Sequence, residues 1–407
     1  MSEASQVQPK YRWVIVFASA LVLAITMGVM VNGISVFFIP LSQEYGWQRG
    51  SIALINVSGL VGIAIGGVVM GKIADKIAIR NICIFGASIL GICIILASFA
   101  NALWQFYMLF FIAGLLGAGA LFVPLMANVG NWFSIGAGLA VGIASAGQAL
   151  GQGGVPFASA IFISNYGWRN ALLILGILIL ATAVPLTFLI RQPQRPTTDK
   201  RLDTDADTKS PVPLSTNVIV IWMSAAVLFC CACMAVPLMH LVPLIQDKGF
   251  SIEQAGSVAF VMLLVAILGR VAFGKLADVI GAIPTFFIAS FWQTVLVYFF
   301  IQFETLDSFY IFAVIYGFGY AGVMTTIMVC MRVLTPLAKR ASALGIVMVF
   351  AWLGHGLGGY QGGLFFDRMG DYNQSYMNAA LFGSINLILV ASLYFTIRRR
   401  SGLRFAT

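Results

Sequence analysis

The chain has 407 residues, of which 60% are hydrophobic and only 9% are charged. A water-soluble fold of this length cannot bury so much apolar surface, so the composition predicts a protein that lies largely in lipid. The formal net charge of +9 does not indicate a nucleic-acid partner, because the basic residues stand in short segments between apolar stretches.

Twelve apolar stretches are long enough to cross the hydrocarbon layer of a bilayer, which is about 30 Å thick. The first begins after a polar N-terminal segment, residues 1–12, and lacks a cleavage site, so we expect a retained span and not a signal peptide. In chain order, the predicted spans lie near residues 13–39, 51–71, 79–100, 104–131, 136–164, 169–190, 215–245, 252–274, 282–303, 306–333, 339–366 and 372–397.

The distribution of Lys and Arg predicts the orientation of these spans. With both termini in the cytoplasm, eighteen basic residues fall in cytoplasmic segments and four on the opposite side. Residues 191–214 are polar, have no periodic apolar face, and are predicted to be a cytoplasmic linker. The sequence thus predicts an N-terminal six-helix bundle (1–190) and a C-terminal six-helix bundle (215–407) in a cytoplasmic or inner membrane.

An internal repeat supports this division. The pattern of residues 40–47 recurs at 243–250, and that of residues 71–75 recurs at 274–278, both with an offset of 203 residues. Parallel repeats of this kind place a substrate between the two halves near the midplane of the membrane, where rocking exposes it to each side in turn. The repeat therefore predicts a transporter that works by alternating access.

The loop after the second predicted span resembles the loop signature of the major facilitator superfamily. It reads Gly71-x-x-x-Asp75-Lys76-x-x-x-Arg80, and a partial second copy contains Asp278. The resemblance implies an all-α fold and a gating role for these residues, in which a carboxylate caps a helix N-terminus and pairs with a cation across the boundary between the halves. A solvated loop charge is the alternative.

Within that superfamily the chain resembles the monocarboxylate porters and the related oxalate/formate antiporters. Four segments carry the resemblance: residues 36–49, 132–147, 240–249 and 355–367. The chain departs from the family at 135–137, where basic residues are usual. The resemblance implies a small carboxylate substrate.

Arg270 is the one basic side chain clearly inside a predicted span, where an isolated cation costs about 2.5–3.5 kcal/mol. The family resemblance places an anion-binding arginine here, whose guanidinium would bind a substrate carboxylate through two parallel hydrogen bonds. Alternatively Arg270 extends to the headgroups or pairs with Asp278. The aspartate that the family often carries one turn earlier is replaced by Ala266, and the predicted first span has no lysine.

Both histidines of the chain, His240 and His355, fall in predicted spans and could accept a coupled proton, although a buried histidine is more often an ordinary hydrogen-bonding group. Further candidates for substrate binding are the polar groups of the spans. With Arg270 and His355, these candidates are Gln148, Gln152, Asn32, Tyr320 and Tyr360.

The leading hypothesis is a monomeric secondary transporter that moves a lactate- or pyruvate-like monocarboxylate together with a proton. The alternative is exchange of organic anions, including dicarboxylates, without proton coupling. An intramembrane enzyme is disfavoured because no nucleophile and base pair or paired carboxylates occur in the spans, and a receptor lacks an appended soluble domain. No cofactor is expected, and the six cysteines are interpreted as packing residues.

Overall fold

The computed structural model describes residues 10–74, 77–133, 137–193, 211–336 and 339–401. Within these ranges the chain forms helices and no strand, as expected where backbone groups in lipid must be satisfied inside each segment. In the part of the chain that the structure describes, eleven helices are long and apolar enough to cross a membrane. They are α1 (Tyr11–Tyr45), α2 (Arg49–Gly71), α3 (Ile79–Ser98), α4 (Leu103–Asn131), α5 (Ala140–Thr187), α6 (Thr216–Asp247), α7 (Ile252–Ile280), α8 (Ala282–Gln302), α9 (Leu306–Leu334), α10 (Ser342–Met369) and α11 (Asn373–Arg400).

Helix α5 contains a sharp break. Gly167 has φ 79° and ψ 161°, a conformation that glycine adopts readily and other residues avoid. At 1.5 Å per residue, the 48 residues of α5 would span about 72 Å if straight, more than twice the thickness of the hydrocarbon layer. The predicted fifth and sixth spans both lie in α5, one on each side of Gly167. Predicted spans 1–4 match α1–α4, and 7–12 match α6–α11.

The sequence repeat is also a repeat of helix packing. A Cβ atom added to Gly66 of α2 would lie 2.2 Å from the carbonyl oxygen of Leu115 in α4. A Cβ atom added to Gly269 of α7 would lie 2.0 Å from the carbonyl oxygen of Phe318 in α9. Each member of the second pair follows its counterpart by 203 residues. The same close, glycine-dependent helix contact is therefore built twice.

The two halves of the bundle meet along three contacts. Helix α2 packs against α10, α5 packs against α7, and the end of α1 reaches α6. Helix α1 is not uniform: within it, residues Gly28–Asn32 form a π-helical turn and residues Gly33–Phe37 form a 3₁₀ turn. These contacts enclose a space between the halves, and the polar side chains of the spans converge there.

The packing of α5 against α1 gives a test of the fold. A Cβ atom at Gly151 would lie 1.9 Å from the carbonyl oxygen of Ala24, so Gly151→Ala must push the two helices apart. We expect a loss of about 1–3 kcal/mol in the free energy of unfolding, measured as a lower thermal midpoint in detergent. Gly142→Ala, on the same helix with no atom within 4 Å of the added Cβ, is the control. Equal midpoints for the two variants would contradict this packing.

Candidate functional site

A cavity of about 70 Å³ lies between the two halves. Its lining comes from α1, α4 and α5 in the first half and from α6, α7, α9 and α10 in the second. A substrate held there would touch both moving parts of the molecule. The polar residues of this lining are Ser145, Gln148, Gln152, Arg270, Tyr320 and His355.

Arg270 reaches from α7 across to the other half. Its Nη1 donates a hydrogen bond to the backbone carbonyl of Ser145 in α5, at 3.1 Å. Its Nε is buried and has no hydrogen-bond partner among the described atoms. The ion pairs found in the described ranges involve other residues, so Arg270 is not paired with Asp278 there. The guanidinium is thus a buried cation whose remaining donors are available to a ligand.

The neighbouring polar groups come from three helices. Gln148 and Gln152 stand one turn apart on α5, Tyr320 comes from α9 and His355 from α10. His355 is 4% exposed, and its Nε2 has no hydrogen-bond partner among the described atoms. An unpartnered buried donor or acceptor is costly, so such a nitrogen in a cavity is suited to a ligand or proton. Five of the seven predicted substrate-binding residues therefore line one cavity.

The other two predicted substrate-binding residues lie outside the lining. Asn32 in α1 is buried, and its Nδ2 donates to the backbone carbonyl of Gln152 at 3.2 Å, so it holds α1 against α5 behind the cavity wall. Tyr360 lies beyond His355 toward the distal end of α10, close enough to Tyr107 to interact with it electrostatically, and it is not among the lining residues. Helical spacing alone could not distinguish these positions from the lining ones.

His240 also lies outside the cavity, in a hydrogen-bonded chain. Its Nε2 is 2.7 Å from the carbonyl oxygen of Gly359, which can only accept, so Nε2 carries the proton. Its Nδ1 then accepts from the hydroxyl of Tyr372 at 3.2 Å. Both ring nitrogens are satisfied, in contrast to His355. Of the two predicted proton sites, the structure brings only His355 into the cavity.

The rest of the lining is apolar and rich in sulfur, which the sequence analysis did not foresee. The only sequence signal was the one-turn spacing of Met324 and Met328 on α9. Across the halves, the rings of Phe122 in α4 and Trp352 in α10 meet edge to face with centroids 6.0 Å apart. The apolar lining residues are Val31, Phe122, Met126, Cys231, Met234, Leu238, Met324, Met328, Met348, Ala351 and Trp352.

A second feature joins the halves at the face where α1 ends and α2 begins, called here the distal face. The guanidinium of Arg49, 10% exposed, forms two hydrogen bonds to Asp247 at the end of α6, at 2.6 and 2.7 Å. Its Nη1 also donates to the Tyr372 hydroxyl at 2.8 Å. Two parallel bonds between guanidinium and carboxylate make a strong, geometrically defined pair.

Asp367, at the distal end of α10, completes this arrangement. Its carboxylate accepts hydrogen bonds from the backbone N–H groups of Arg49 at 2.8 Å and Gly50 at 2.6 Å. It therefore caps the N-terminus of α2 across the boundary between the two halves. We call Arg49, Asp247, Asp367 and Tyr372 the distal clamp. The sequence analysis counted Arg49 only as a loop charge, although it stood in a segment that resembles the porter family.

The distal clamp contains the one ion pair that links the halves within the described ranges. Arg169 pairs with Glu44 inside the first half at 3.0 Å, and Lys248 pairs with Glu304 inside the second at 2.5 Å. Toward the opposite, proximal face the halves meet within the cavity wall, through the Phe122 and Trp352 rings and the Arg270–Ser145 hydrogen bond. The two sides of the cavity are therefore joined by different chemistry.

The predicted gating loop is only partly visible. Gly71 lies in the last turn of α2, whose helix continues to Ile73, and Asp278 lies in the last turn of α7. Arg80, at the start of α3, donates from Nε to the carbonyl oxygen of Ile190 at 3.3 Å, a contact within the first half. Asp75 and Lys76 lie outside the described residues, so the capping role of this loop stays a prediction.

A multi-pass helical bundle with a polar cavity between two repeated halves defines a membrane transporter, not an enzyme. The sequence profile of the Major Facilitator Superfamily matches residues 18–359 and 221–406. The chain belongs to this superfamily.

Similar proteins agree with this assignment. The chain is 24% identical to monocarboxylate transporter 13 of Rattus norvegicus over 91% of this chain and 86% of the relative. It is also 24% identical to monocarboxylate transporter 2 of Homo sapiens, over 95% and 84%. The fold matches a bacterial homolog of the human lysosomal transporter Spinster, in an inward-facing and occupied conformation, with a TM-score of 0.74, 15% identity and 96% and 98% of the chains covered.

Proposed function

We propose that this transporter carries a small monocarboxylate, of the size of lactate or pyruvate, with Arg270 as its anion-binding residue. One observation carries the proposal: Arg270 is a cation in the central cavity, with a buried, unpartnered Nε and no counter-ion among the described residues. A carboxylate supplies both the missing charge and the missing acceptors. The monocarboxylate transporters among the relatives support the same substrate class.

The size and charge of the cavity favour a small monoanion. The cavity volume of about 70 Å³ is small and is compatible with a ligand of a few non-hydrogen atoms. Arg270 is the one cationic side chain among the lining residues. A second carboxylate would find no further fixed cation in the lining, only the titratable His355. These features favour the monocarboxylate over the dicarboxylate alternative.

Proton coupling is assigned to His355. Its unpartnered Nε2 lies in the same cavity as Arg270, so a proton bound there adds positive charge beside the bound carboxylate. Because the proton and the anion each strengthen the binding of the other, they move together, and their charges cancel. Obligate anion exchange without protons is the competing outcome.

Transport then requires the distal clamp to open and close. In our proposal the distal face is extracellular, both termini are cytoplasmic, and the α5 break gives twelve crossings in two six-helix halves, 1–190 and 215–407. The clamp holds the halves together outside while substrate exchanges with the cytoplasm, and it separates in the outward-facing state. One chain contains the whole cavity, so the monomer suffices. The cytoplasmic or inner membrane is the proposed location.

Uptake of labelled lactate into proteoliposomes tests this function. We expect accumulation under an inward proton gradient, no response to a membrane potential alone, and counterflow into vesicles preloaded with lactate. Uptake only into preloaded vesicles, with oxalate also effective, would establish exchange instead. Uptake under none of these conditions would reject small monocarboxylates as substrates.

The histidine variants identify the proton site in the same assay. His355→Gln is expected to lose acceleration by the proton gradient and to keep counterflow, because the cavity retains a polar group but loses the titratable one. His240→Gln is the matched control and should keep the proton response, since His240 lies outside the cavity. Unchanged proton dependence in His355→Gln, with loss in His240→Gln, would move the role to His240.

A further inference from the structure

The lining of the cavity has two chemically different parts. Ser145, Gln148 and Gln152 share one face of α5, and Arg270 is hydrogen-bonded to that face through Ser145. Tyr320 of α9 and His355 of α10 are the other polar groups of the lining, and the remaining wall, from α1, α4, α6, α9 and α10, is built of thioether, thiol, aromatic and alkyl groups. A bound carboxylate placed at Arg270 therefore directs the rest of its molecule toward an apolar surface.

The thioethers dominate this surface. Met324 and Met328 lie one turn apart on α9, and Met348 approaches from α10, next to Trp352. On the other side of the boundary, Met126 comes from α4. Methionine is flexible and polarisable, so it packs closely against apolar bodies of varied shape. The substrate body is thus enclosed by adaptable apolar groups from both halves.

These side chains offer almost nothing to a hydroxyl group. A thioether has no donor and is only a weak acceptor. A substrate hydroxyl that faces this wall gives up its hydrogen bonds to water without replacement, whereas a methyl group in the same place gains contact area. In the proposed function the polar groups of the lining, with Tyr320 and His355 among them, serve the carboxylate and the coupled proton, which leaves the methionine side chains to the body of the substrate.

We propose that the cavity ranks monocarboxylates by the apolar surface of their body, with Met324, Met328 and Trp352 as specificity-determining residues. This rests on the proposed function and narrows its substrate class to short alkyl carboxylates, linear or branched. Lactate is then a weaker substrate than isobutyrate, which carries a methyl group where lactate carries its hydroxyl. Substrates with a second carboxylate are rejected.

Transport by the wild-type protein gives the first test. The KM is expected to fall about fourfold for each methylene added from acetate through propanoate to butanoate, until the tail fills the cavity. Isobutyrate is expected to have a KM at least about fourfold lower than lactate, and malonate should not compete. A flat series, or a lower KM for lactate, would overturn the inference.

Variants at one position separate chemistry from shape. Met324→Gln keeps an unbranched side chain of similar length but adds polar groups, and it should bring the ratio of the lactate KM to the isobutyrate KM close to one. Met324→Leu keeps the apolar wall and should keep the ratio. Met377→Gln, on an exposed part of α11, is the control. A preserved KM ratio in Met324→Gln would show that Met324 does not determine substrate specificity.

This test is separable from that of the proposed function. Suppose that uptake of lactate and butanoate depends on Arg270 but chain length has no effect. This result leaves the proposed function intact and overturns only the inference that the methionine side chains rank the substrates. Absence of uptake for every monocarboxylate overturns both. Because the wild-type series needs no variant, a variant that fails to fold does not prevent a decision.

Discussion

Replacing Arg270 by lysine is expected to reduce transport severely while leaving expression and folding intact. An ammonium group keeps the charge but cannot form the two parallel hydrogen bonds that a guanidinium forms with a carboxylate. A hydrogen bond to a charged group contributes about 1.5–3 kcal/mol, which corresponds to a rise in KM of about 10- to 100-fold. Arg270→Gln, which also removes the charge, should abolish binding.

The control for this prediction lies on the same helix. Lys275 is exposed near the proximal end of α7, so Lys275→Gln removes the same charge outside the cavity and should leave KM unchanged. Uptake should be measured in proteoliposomes with equal amounts of each variant, after size-exclusion chromatography has verified folding. Wild-type KM in Arg270→Lys would show that Arg270 does not bind the substrate carboxylate.

Breaking the distal clamp is expected to expose the cavity on the distal side. Removing one partner of a buried ion pair costs about 3–5 kcal/mol, and the cost is smaller here because the Asp247 side chain is 31% exposed. Arg49→Gln leaves Asp247 without its cation, whereas the backbone N–H bonds to Asp367 remain. Since each 1.4 kcal/mol is tenfold in an equilibrium, the outward-open population should rise at least about tenfold. The expected result is a carrier that spends more of its time in the outward-open state.

A native cysteine reports this change. Cys231 lines the cavity and is 2% exposed in this structure. The other five cysteines are replaced by alanine, and an impermeant maleimide is applied from the distal side. The rate of Cys231 labelling then measures how often the distal side opens. The Arg49→Gln variant should be labelled at least about ten times faster than its parent.

The matched control removes an ion pair that does not cross the boundary. Arg169 also lies at the distal face, but its partner Glu44 belongs to the same half. Arg169→Gln should therefore leave the labelling rate of Cys231 unchanged. Faster labelling in both variants would indicate general loosening of the bundle, and an unchanged rate in Arg49→Gln would show that the clamp does not close the distal side.

The different chemistry of the two faces bears on how the carrier moves. The distal clamp joins the halves through a charged pair and a helix cap, and its groups must be rehydrated before the halves separate. Toward the proximal face the halves are joined by the rings of Phe122 and Trp352 and by the single hydrogen bond from Arg270 to Ser145, so fewer polar groups must separate there. We expect distal opening to be the slower of the two movements.

The sequence alone determined the class of the protein, the positions of most of its helices and the presence of an internal repeat. Length and hydropathy predicted the helices, because in lipid a span must satisfy its own backbone and so has a recognisable length. The offset of 203 residues predicted a repeat, which the packing of Gly66 on Leu115 and of Gly269 on Phe318 confirms. The charge of Arg270 made it a candidate site residue from the sequence, because a cation inside a span is costly, and the structure places it in the cavity lining.

Only the tertiary structure decided which polar residues share a cavity. A helix nearly uniform in hydropathy gives no signal for the direction of each side chain, so Asn32 and Tyr360 were grouped with Gln148 and Tyr320 although they lie outside the lining. For the same reason, the sequence did not reveal that methionine side chains line the cavity. The distal clamp was hidden because Arg49 and Asp247 stand in different halves, and their pairing depends on how those halves dock.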